Sequence, residues 1–467
     1  MSTATQASDP SFETKHVHAA ILSTGDEVVL GQIADTNARW IAQKLMDRGI
    51  VPVQHAAVPD ELEVIVEAIE RLARSTDLLI MTGGLGPTDG DLTRHALAKV
   101  LKDDLVVDEG ALGDLRALMA RRGREMSERQ ARQAQRPRSA ACLPNSVGTA
   151  PGLFARVRRA DGRVCEVVCL PGPPGELRDM WAKQVENRLK PRAGFIVRTR
   201  LLHVVAMPEA EVSGLLKDLT ARERVEGKAL VGMTASGGVI TVRIRVEGEL
   251  SESQARAALD AADAGVRAKL GKHVVCEGDG RGIDLVARAM IEKLAQRGES
   301  FGCVESCTGG GLGALLTSIP GSSRAFTGGL ITYSNELKSR LAGVDAGLIA
   351  RHGAVSADVA RAMALGGLRA LGTTHCGAIT GIAGPDGGSA EKPVGTVFLA
   401  LASRSGGNGV ERVDVRRLLI TGDREDIRQR AGVGLLAMLH FAVEGFEVGV
   451  PRLIWETSDR KESPRIA

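Results

Sequence analysis

An α/β fold in three parts is predicted by three observations on this 467-residue sequence. Up to about Arg192, short apolar runs alternate with amphipathic helical stretches; between Phe195 and Val275 the order becomes strand-rich; strand-then-helix alternation then resumes to about Gly445. A chain of this length exceeds what one core organises, and about three domains of ordinary size fit it.

In the first part, Ala19-Ala20-Ile21-Leu22, Leu78-Leu79-Ile80-Met81 and Val167-Val168-Cys169-Leu170 are short, wholly apolar and bounded by turn residues, as strands of a mainly parallel sheet should be. Asn37 to Arg48 and Glu61 to Arg74 carry helical periodicity between them. The second part runs strand (Val197 to Val205), helix (Pro208 to Leu216), two strands flanking Ser236-Gly237-Gly238, and helix (Glu252 to Lys269), a small α+β unit. Glu277-Gly278-Asp279-Gly280-Arg281-Gly282 reads as a linker. The expected boundaries are a disordered 1–16, domains at 17–192, 195–275 and 283–447, and a loosely held tail at 448–467.

Composition narrows the function classes. Hydrophobic residues at 43% and charged residues at 25% are those of a soluble globular protein, and no run of about 18 apolar residues spans a bilayer. Met1 to Lys15 resembles neither a signal peptide nor an anchor, so a cytoplasmic protein is expected, with no membrane partner. Seven scattered cysteines agree with a reducing compartment; the pairs Cys165/Cys169 and Cys303/Cys307 lack the second ligand pair that structural zinc needs. Net charge +3 and 3% aromatics argue against a nucleic-acid surface. The seven arginines from Arg121 to Arg138, interrupted by Glu125 and Glu128, read as a solvated helix, with a phosphate-bearing ligand as the sharper alternative.

The chemistry concentrates after the linker. Ser300-Phe301-Gly302-Cys303-Val304 is a short buried strand, and Gly311-Leu312-Gly313-Ala314-Leu315-Leu316 starts a helix. Ser306 lies between them, where N–H groups of Thr308, Gly309 and Gly310 would hold an oxyanion; taken alone, a hydroxyl there more often serves as a helix cap. Downstream, a strand leads to Tyr333-Ser334-Asn335 and a helix carrying Lys338 in its first turn. Burial near a helix N-terminus lowers a lysine pKa, and a neutral amine can serve as base to a serine. Tyr333, the sole tyrosine, is either an orienting phenol near that lysine or a core aromatic. The thiol of Cys307 makes it a second candidate nucleophile, and because neighbours in an extended turn face opposite sides, only one of Ser306 and Cys307 can face the substrate.

Glu305-Ser306-Cys307-Thr308-Gly309-Gly310, Tyr333-Ser334-Asn335 with Lys338, Gly353-Ala354-Val355-Ser356, Thr380-Gly381-Ile382-Ala383-Gly384-Pro385 and Lys392-Pro393-Val394-Gly395-Thr396-Val397 resemble the nicotinamide-mononucleotide deamidase domain of the CinA-like family. Thr24-Gly25-Asp26-Glu27, Asp35-Thr36-Asn37, Gly83-Gly84-Leu85-Gly86-Pro87-Thr88, Gly148-Thr149-Ala150-Pro151-Gly152 and Leu170-Pro171-Gly172-Pro173-Pro174-Gly175-Glu176 resemble that family's N-terminal domain, which is similar to molybdopterin-binding proteins of the MoaB/MogA type. The middle unit is similar to the family's KH-like insert; it lacks the G-x-x-G loop of RNA-binding KH modules, which favours a spacer or dimerisation role.

The resemblance implies a cofactor-free amidohydrolase in which Ser306 attacks the carboxamide of nicotinamide mononucleotide and Lys338 is the base. Thr380, Gly381 and Gly384 would wall the ribose phosphate, Arg424 and Arg428 would meet the phosphate or form surface ion pairs, and Lys392 is an alternative base or phosphate ligand. It also implies a front site of Asp26, Glu27, Asn37, Gly83, Gly84, Gly86 and Thr88, associated in the family with metal-dependent hydrolysis of ADP-ribose. The family pattern sets two adjacent aspartates after Pro-Thr, whereas this chain reads Asp89-Gly90-Asp91, so a divalent ion would rest on Asp89 and Asp91. A homodimer is expected by resemblance. A non-catalytic nucleotide or pterin sensor, or activity of the front half alone, are the other readings.

Overall fold

A computed structural model describes residues 14–220, 225, 227–405, 410–445 and 451–457. The chain divides into two compact units, Met1–Arg198 with Val246–Arg256, and Thr199–Arg245 with Ala257–Ala467.

In the first unit, β1 (His18–Thr24), β2 (Val51–Val58) and β3 (Leu78–Thr82) are followed by a small ribbon of β4 (Leu105–Val107) and β5 (Gln135–Pro137), then by β6 (Ala141–Leu143), β7 (Gly152–Arg158) and β8 (Val164–Leu170). The main sheet runs β2-β1-β3-β8-β7-β6, parallel through its first four strands and antiparallel at β7 and β6. All five residues of β3 are buried because both faces are covered. Ala20 and Leu22 pack on one face with Ile65, Ile69 and Leu72, while Ile21 turns to the other with Ile41, Leu45 and Trp181.

The middle sheet has the order β10-β11-β9-β12, built from β9 (Phe195–Val204), β10 (Leu230–Ser236), β11 (Val239–Glu249) and β12 (Val274–Glu277). β10 and β11 form a hairpin closed by Gly237 and Gly238 at φ 59° and 92°, a two-residue turn that L side chains tolerate poorly.

The second unit's large sheet contains β13 (Phe301–Glu305), β14 (Phe326–Ile331), β15 (His375–Gly381), β16 (Thr396–Ser405) and β17 (Val410–Leu419), in the order β14-β13-β15-β16-β17. β13 is parallel to both neighbours, so its carboxyl end, where Ser306 follows, opens beside those of β14 and β15. Cys303 faces helices Gly282–Arg297 and Arg424–Val443, while Val304 faces helix Ala357–Leu371.

The expected loose tail is corrected over its described part. Leu453 is buried, Leu419 N donates to Trp455 O at 2.9 Å, and Glu456 ion-pairs at 2.9 Å with Arg416, whose other partner is Asp414. Apolar contact and a buried guanidinium that needs a second carboxylate hold this segment on β17. Residues 1–13 of the N-terminal segment, 446–447 at the end of the expected third domain, and 448–450 and 458–467 of the tail lie outside the described residues.

Candidate functional site

β13 ends at Glu305, and the turn that follows enters helix Gly311–Thr317 through Gly310 at φ 91°. Ser306 N donates to Ile379 O at 3.0 Å, fixing the turn against β15. Ser334 caps helix Asn335–Ala342 by accepting from Leu337 N. One turn in, the Lys338 side chain runs back beneath the helix start and is only 1% exposed. Its Nζ lies 3.0 Å from Ser306 Oγ, 3.0 Å from Thr332 O and 3.4 Å from Tyr333 O. Burial pulls its pKa below the ordinary 10.5, opposed by the nearby Cys307 thiol. A neutral amine has two hydrogens for the two carbonyls and a lone pair for the serine hydroxyl, so this geometry suits a base.

Two expectations about this turn need correction. Gly309 N donates to Ser306 O, and Gly310 N donates to Glu305 Oε2 at 3.0 Å, so neither amide is open to a ligand. Glu305 was not singled out from the sequence. Its buried carboxylate also accepts from Leu312 N and Gly313 N, at 3.1 and 2.8 Å, and so fills the helix N-terminus. A carboxylate a few residues before a glycine-opened helix was the available signal. Thr308 keeps its promise differently: its hydroxyl is buried with no partner among the described residues.

Tyr333 is neither a core aromatic nor a phenol on the lysine. Its side chain is 60% exposed, Arg424 Nη2 donates to its hydroxyl at 3.2 Å, and only its backbone carbonyl approaches Lys338. The Cys307 thiol is pushed up to about 11 by burial, which keeps it protonated at neutral pH.

Arg424 and Arg428 stand in the first two turns of helix Arg424–Val443 and reach the site loops instead of acidic neighbours. Arg424 Nη1 donates to Gly384 O at 2.5 Å, and Arg428 Nη2 to Thr308 O at 2.9 Å. Thr380 Oγ1 donates to Ala354 O at 2.9 Å. Gly381 is required by packing, since a Cβ there would meet Thr396 O at 2.8 Å. Lys392 Nζ donates to His352 O at 3.2 Å, so Lys338 is the lysine in contact with Ser306.

In the first unit, a cavity of about 670 Å³ opens at the carboxyl ends of β1, β3 and β8. Glu27, Asn37, Gly83, Gly84, Gly86 and Thr88, the residues assigned to the front site from the sequence, line it. Asn37 bridges Thr82 Oγ1 and Gly172 O, at 3.1 and 2.7 Å. Asp26 is absent from the lining and accepts from Asp60 N at 3.1 Å. Two lining or supporting residues went unnoticed in the sequence. Asp60 lines the cavity, and burial, with Asp26, Glu27 and Asp91 adding repulsion, raises its carboxyl above the ordinary 3.8. Arg94, buried, donates to the Leu85 and Gly86 carbonyls and props the glycine loop from behind.

Asp89 and Asp91, the two residues expected to hold a divalent ion, are engaged with protein groups. Asp89 is 77% exposed and pairs with Arg129 and Arg132 at 3.8 and 3.9 Å. Asp91 accepts from Gly86 N at 2.7 Å and from Thr88 N at 2.7 Å, so its oxygens brace the loop. Among the described residues no group of three or more His, Cys, Asp or Glu side chains is arranged to hold a metal ion.

Fold and sites together define a multi-module α/β protein with a loop-walled cavity in its front unit and a buried serine–lysine pair in its rear one. The model of the CinA C-terminal domain matches residues 284–442, that of the probable molybdopterin binding domain 20–191, and that of the CinA KH domain 199–275. The CinA-like protein of Geobacter metallireducens is 41% identical over 88% of this chain and 95% of its own length. That of Geobacter sulfurreducens is 40% identical over 90% and 98%. The chain belongs to the CinA family. Among solved structures, the competence/damage inducible protein CihA from Agrobacterium tumefaciens is 39% identical over 35% of this chain and 95% of its own, with a TM-score of 0.33. No described helix is long and apolar enough to cross a membrane.

Proposed function

We propose that the rear unit is a Ser/Lys amidohydrolase that converts nicotinamide mononucleotide to nicotinic acid mononucleotide and ammonia, a step of pyridine nucleotide recycling. The observation that carries this reading is the 3.0 Å contact of Lys338 Nζ with Ser306 Oγ in a buried setting that favours the neutral amine. Lys338 takes the hydroxyl proton as Ser306 Oγ bonds to the carboxamide carbon. With the Gly309 and Gly310 amides occupied, the Thr308 hydroxyl is the side-chain donor of this turn left without a partner among the described residues, and it is the donor assigned here to the oxyanion. The Lys338 ammonium returns its proton to the departing nitrogen, the C–N bond breaks and ammonia leaves. Water, deprotonated by the same lysine, then releases the carboxylate from Ser306. Arg424 and Arg428, spaced one turn apart at the start of a helix, suit the substrate phosphate.

Ammonia release from the mononucleotide by the full chain tests this. Ser306→Ala and Lys338→Met should each lower kcat/KM by at least about 10³-fold with the far-ultraviolet circular dichroism unchanged. Turnover retained in Ser306→Ala moves the chemistry off this serine.

For the front unit, the bracing of Asp91 favours binding of a nucleotide- or pterin-sized ligand over metal-dependent cleavage.

A further inference from the structure

Helix Arg424–Val443 has no side left for water. Every residue from Ala431 to Phe441 is buried, and a helix apolar all round needs cover on more than one face. The rear sheet supplies one cover: a Cβ at Gly377 of β15 would meet Leu435 Cδ2 at 2.4 Å. The tip of the β10–β11 hairpin, which belongs to the same compact unit, supplies another. A Cβ at Gly238 would meet Trp455 Cη2 at 3.1 Å and Val433 Cγ1 at 3.4 Å, and one at Gly237 would meet Gln429 Nε2 at 2.9 Å. Further along, His440 Nε2 donates to Lys272 O at 2.9 Å, just before β12.

The hold extends to the start of the helix. The Trp455 ring, seated on Gly238, has the Arg430 guanidinium 5.5 Å from its centroid. Arg430 ion-pairs with Asp426 at 3.1 Å and donates to Thr421 O, and between those two partners Asp423 caps the helix by accepting from Asp426 N. From these same first turns Arg424 and Arg428 reach Gly384 O and Thr308 O in the loops of the serine–lysine site. Contacts therefore run without a break from hairpin tip to indole, to guanidinium, to the helix start. Side chains that meet a ligand keep their geometry only when the groups behind them are locked by packing and hydrogen bonds.

We propose that Trp455 and Arg430, seated by the β10–β11 hairpin, are positioning residues for the phosphate end of the rear site. They fix the helix start from which Arg424 and Arg428 meet the mononucleotide. The middle module is thereby a working part of that site and more than a spacer. This rests on the amidohydrolase reading given above.

The test is the kinetics of ammonia release from nicotinamide mononucleotide by the full chain, with the urea midpoint measured in parallel. Trp455→Ala and Arg430→Met should each raise KM at least about fivefold and keep kcat within about threefold, because Ser306 and Lys338 stand on other elements. Trp455→Phe keeps an aromatic ring against Arg430 and should hold KM within about twofold of wild type. A purely structural role lowers the urea midpoint and leaves KM unmoved, and that result in both folded variants overturns the proposal. Should Trp455→Ala fail to fold, Arg430→Met, at a partly exposed side chain, decides by the same KM criterion. A wild-type chain that releases no ammonia fails the amidohydrolase reading, and the proposal with it, before any variant is made.

Discussion

Lys338 is held by a hydroxyl and two carbonyls, and no carboxylate among its contacts steadies a positive charge. With its pKa lowered by burial, the ammonium form persists at low pH and the active amine appears as pH rises through the lowered value. The acid limb of kcat/KM for ammonia release should therefore lie below 10.5 and report one deprotonation, and a pH profile checks it. A flat profile across the accessible range would remove lysine from the base role. Cys307, with its thiol raised to about 11, should be dispensable: Cys307→Ala is expected to keep ammonia release within about threefold of wild type, provided this small buried change is absorbed locally. Serine and lysine were legible in the sequence because their segments carry strand, turn and cap signals. Their supports were not. Glu305 looks like an ordinary strand-end acid until the chain folds and brings three N–H groups of the next helix onto it. Tyr333 was misjudged because rarity says nothing about direction, and its phenol turns outward to Arg424.

At the level of elements, the mainly parallel front sheet and the helices beside it were legible in wholly apolar runs and turn residues, because strands buried on both faces read that way, whereas strand order was not, since it depends on pairings distant in the chain. The tail was misread because Pro451 to Thr457 is short and polar in part. What holds it is Arg416, a residue of β17 whose guanidinium is fully buried between Asp414 and Glu456, and that pairing depends on partners 40 residues apart in the chain. Removing one carboxylate leaves a buried charge half-answered. Glu456→Ala should destabilise the rear unit by roughly 3–5 kcal/mol, read as a lowered urea midpoint. Glu456→Gln, which keeps an acceptor on the guanidinium, should lose less. Equal stability of Glu456→Ala and wild type would mean that the segment rests on β17 without supporting it.

Across the whole molecule, the front cavity and the serine–lysine pair belong to different units and rest on different chemistry, so they should respond separately. The front cavity depends on a tight glycine loop: Gly84 has φ 64°, and a Cβ there would crowd the Thr24 hydroxyl at 2.9 Å. Gly84→Val should therefore disrupt the cavity floor and abolish binding of its ligand. At the rear site, both oxygens of Glu305, the carboxylate next to Ser306, are taken by helix N–H groups, so the donor set around the serine is amine, hydroxyl and carbonyl. With the Glu305 oxygens already accepting helix N–H groups, the anionic ligand that a divalent cation ordinarily draws on is engaged, and an amine beside a hydroxyl suits acid–base chemistry. Ammonia release by the full-length Gly84→Val chain should accordingly match wild type within about twofold, and 5 mM-scale chelator (~5 mM EDTA) should leave both unchanged. A loss of ammonia release on chelation would assign the rear reaction a metal and displace Lys338 as its base, whereas a loss confined to Gly84→Val would show that the front cavity governs the rear site.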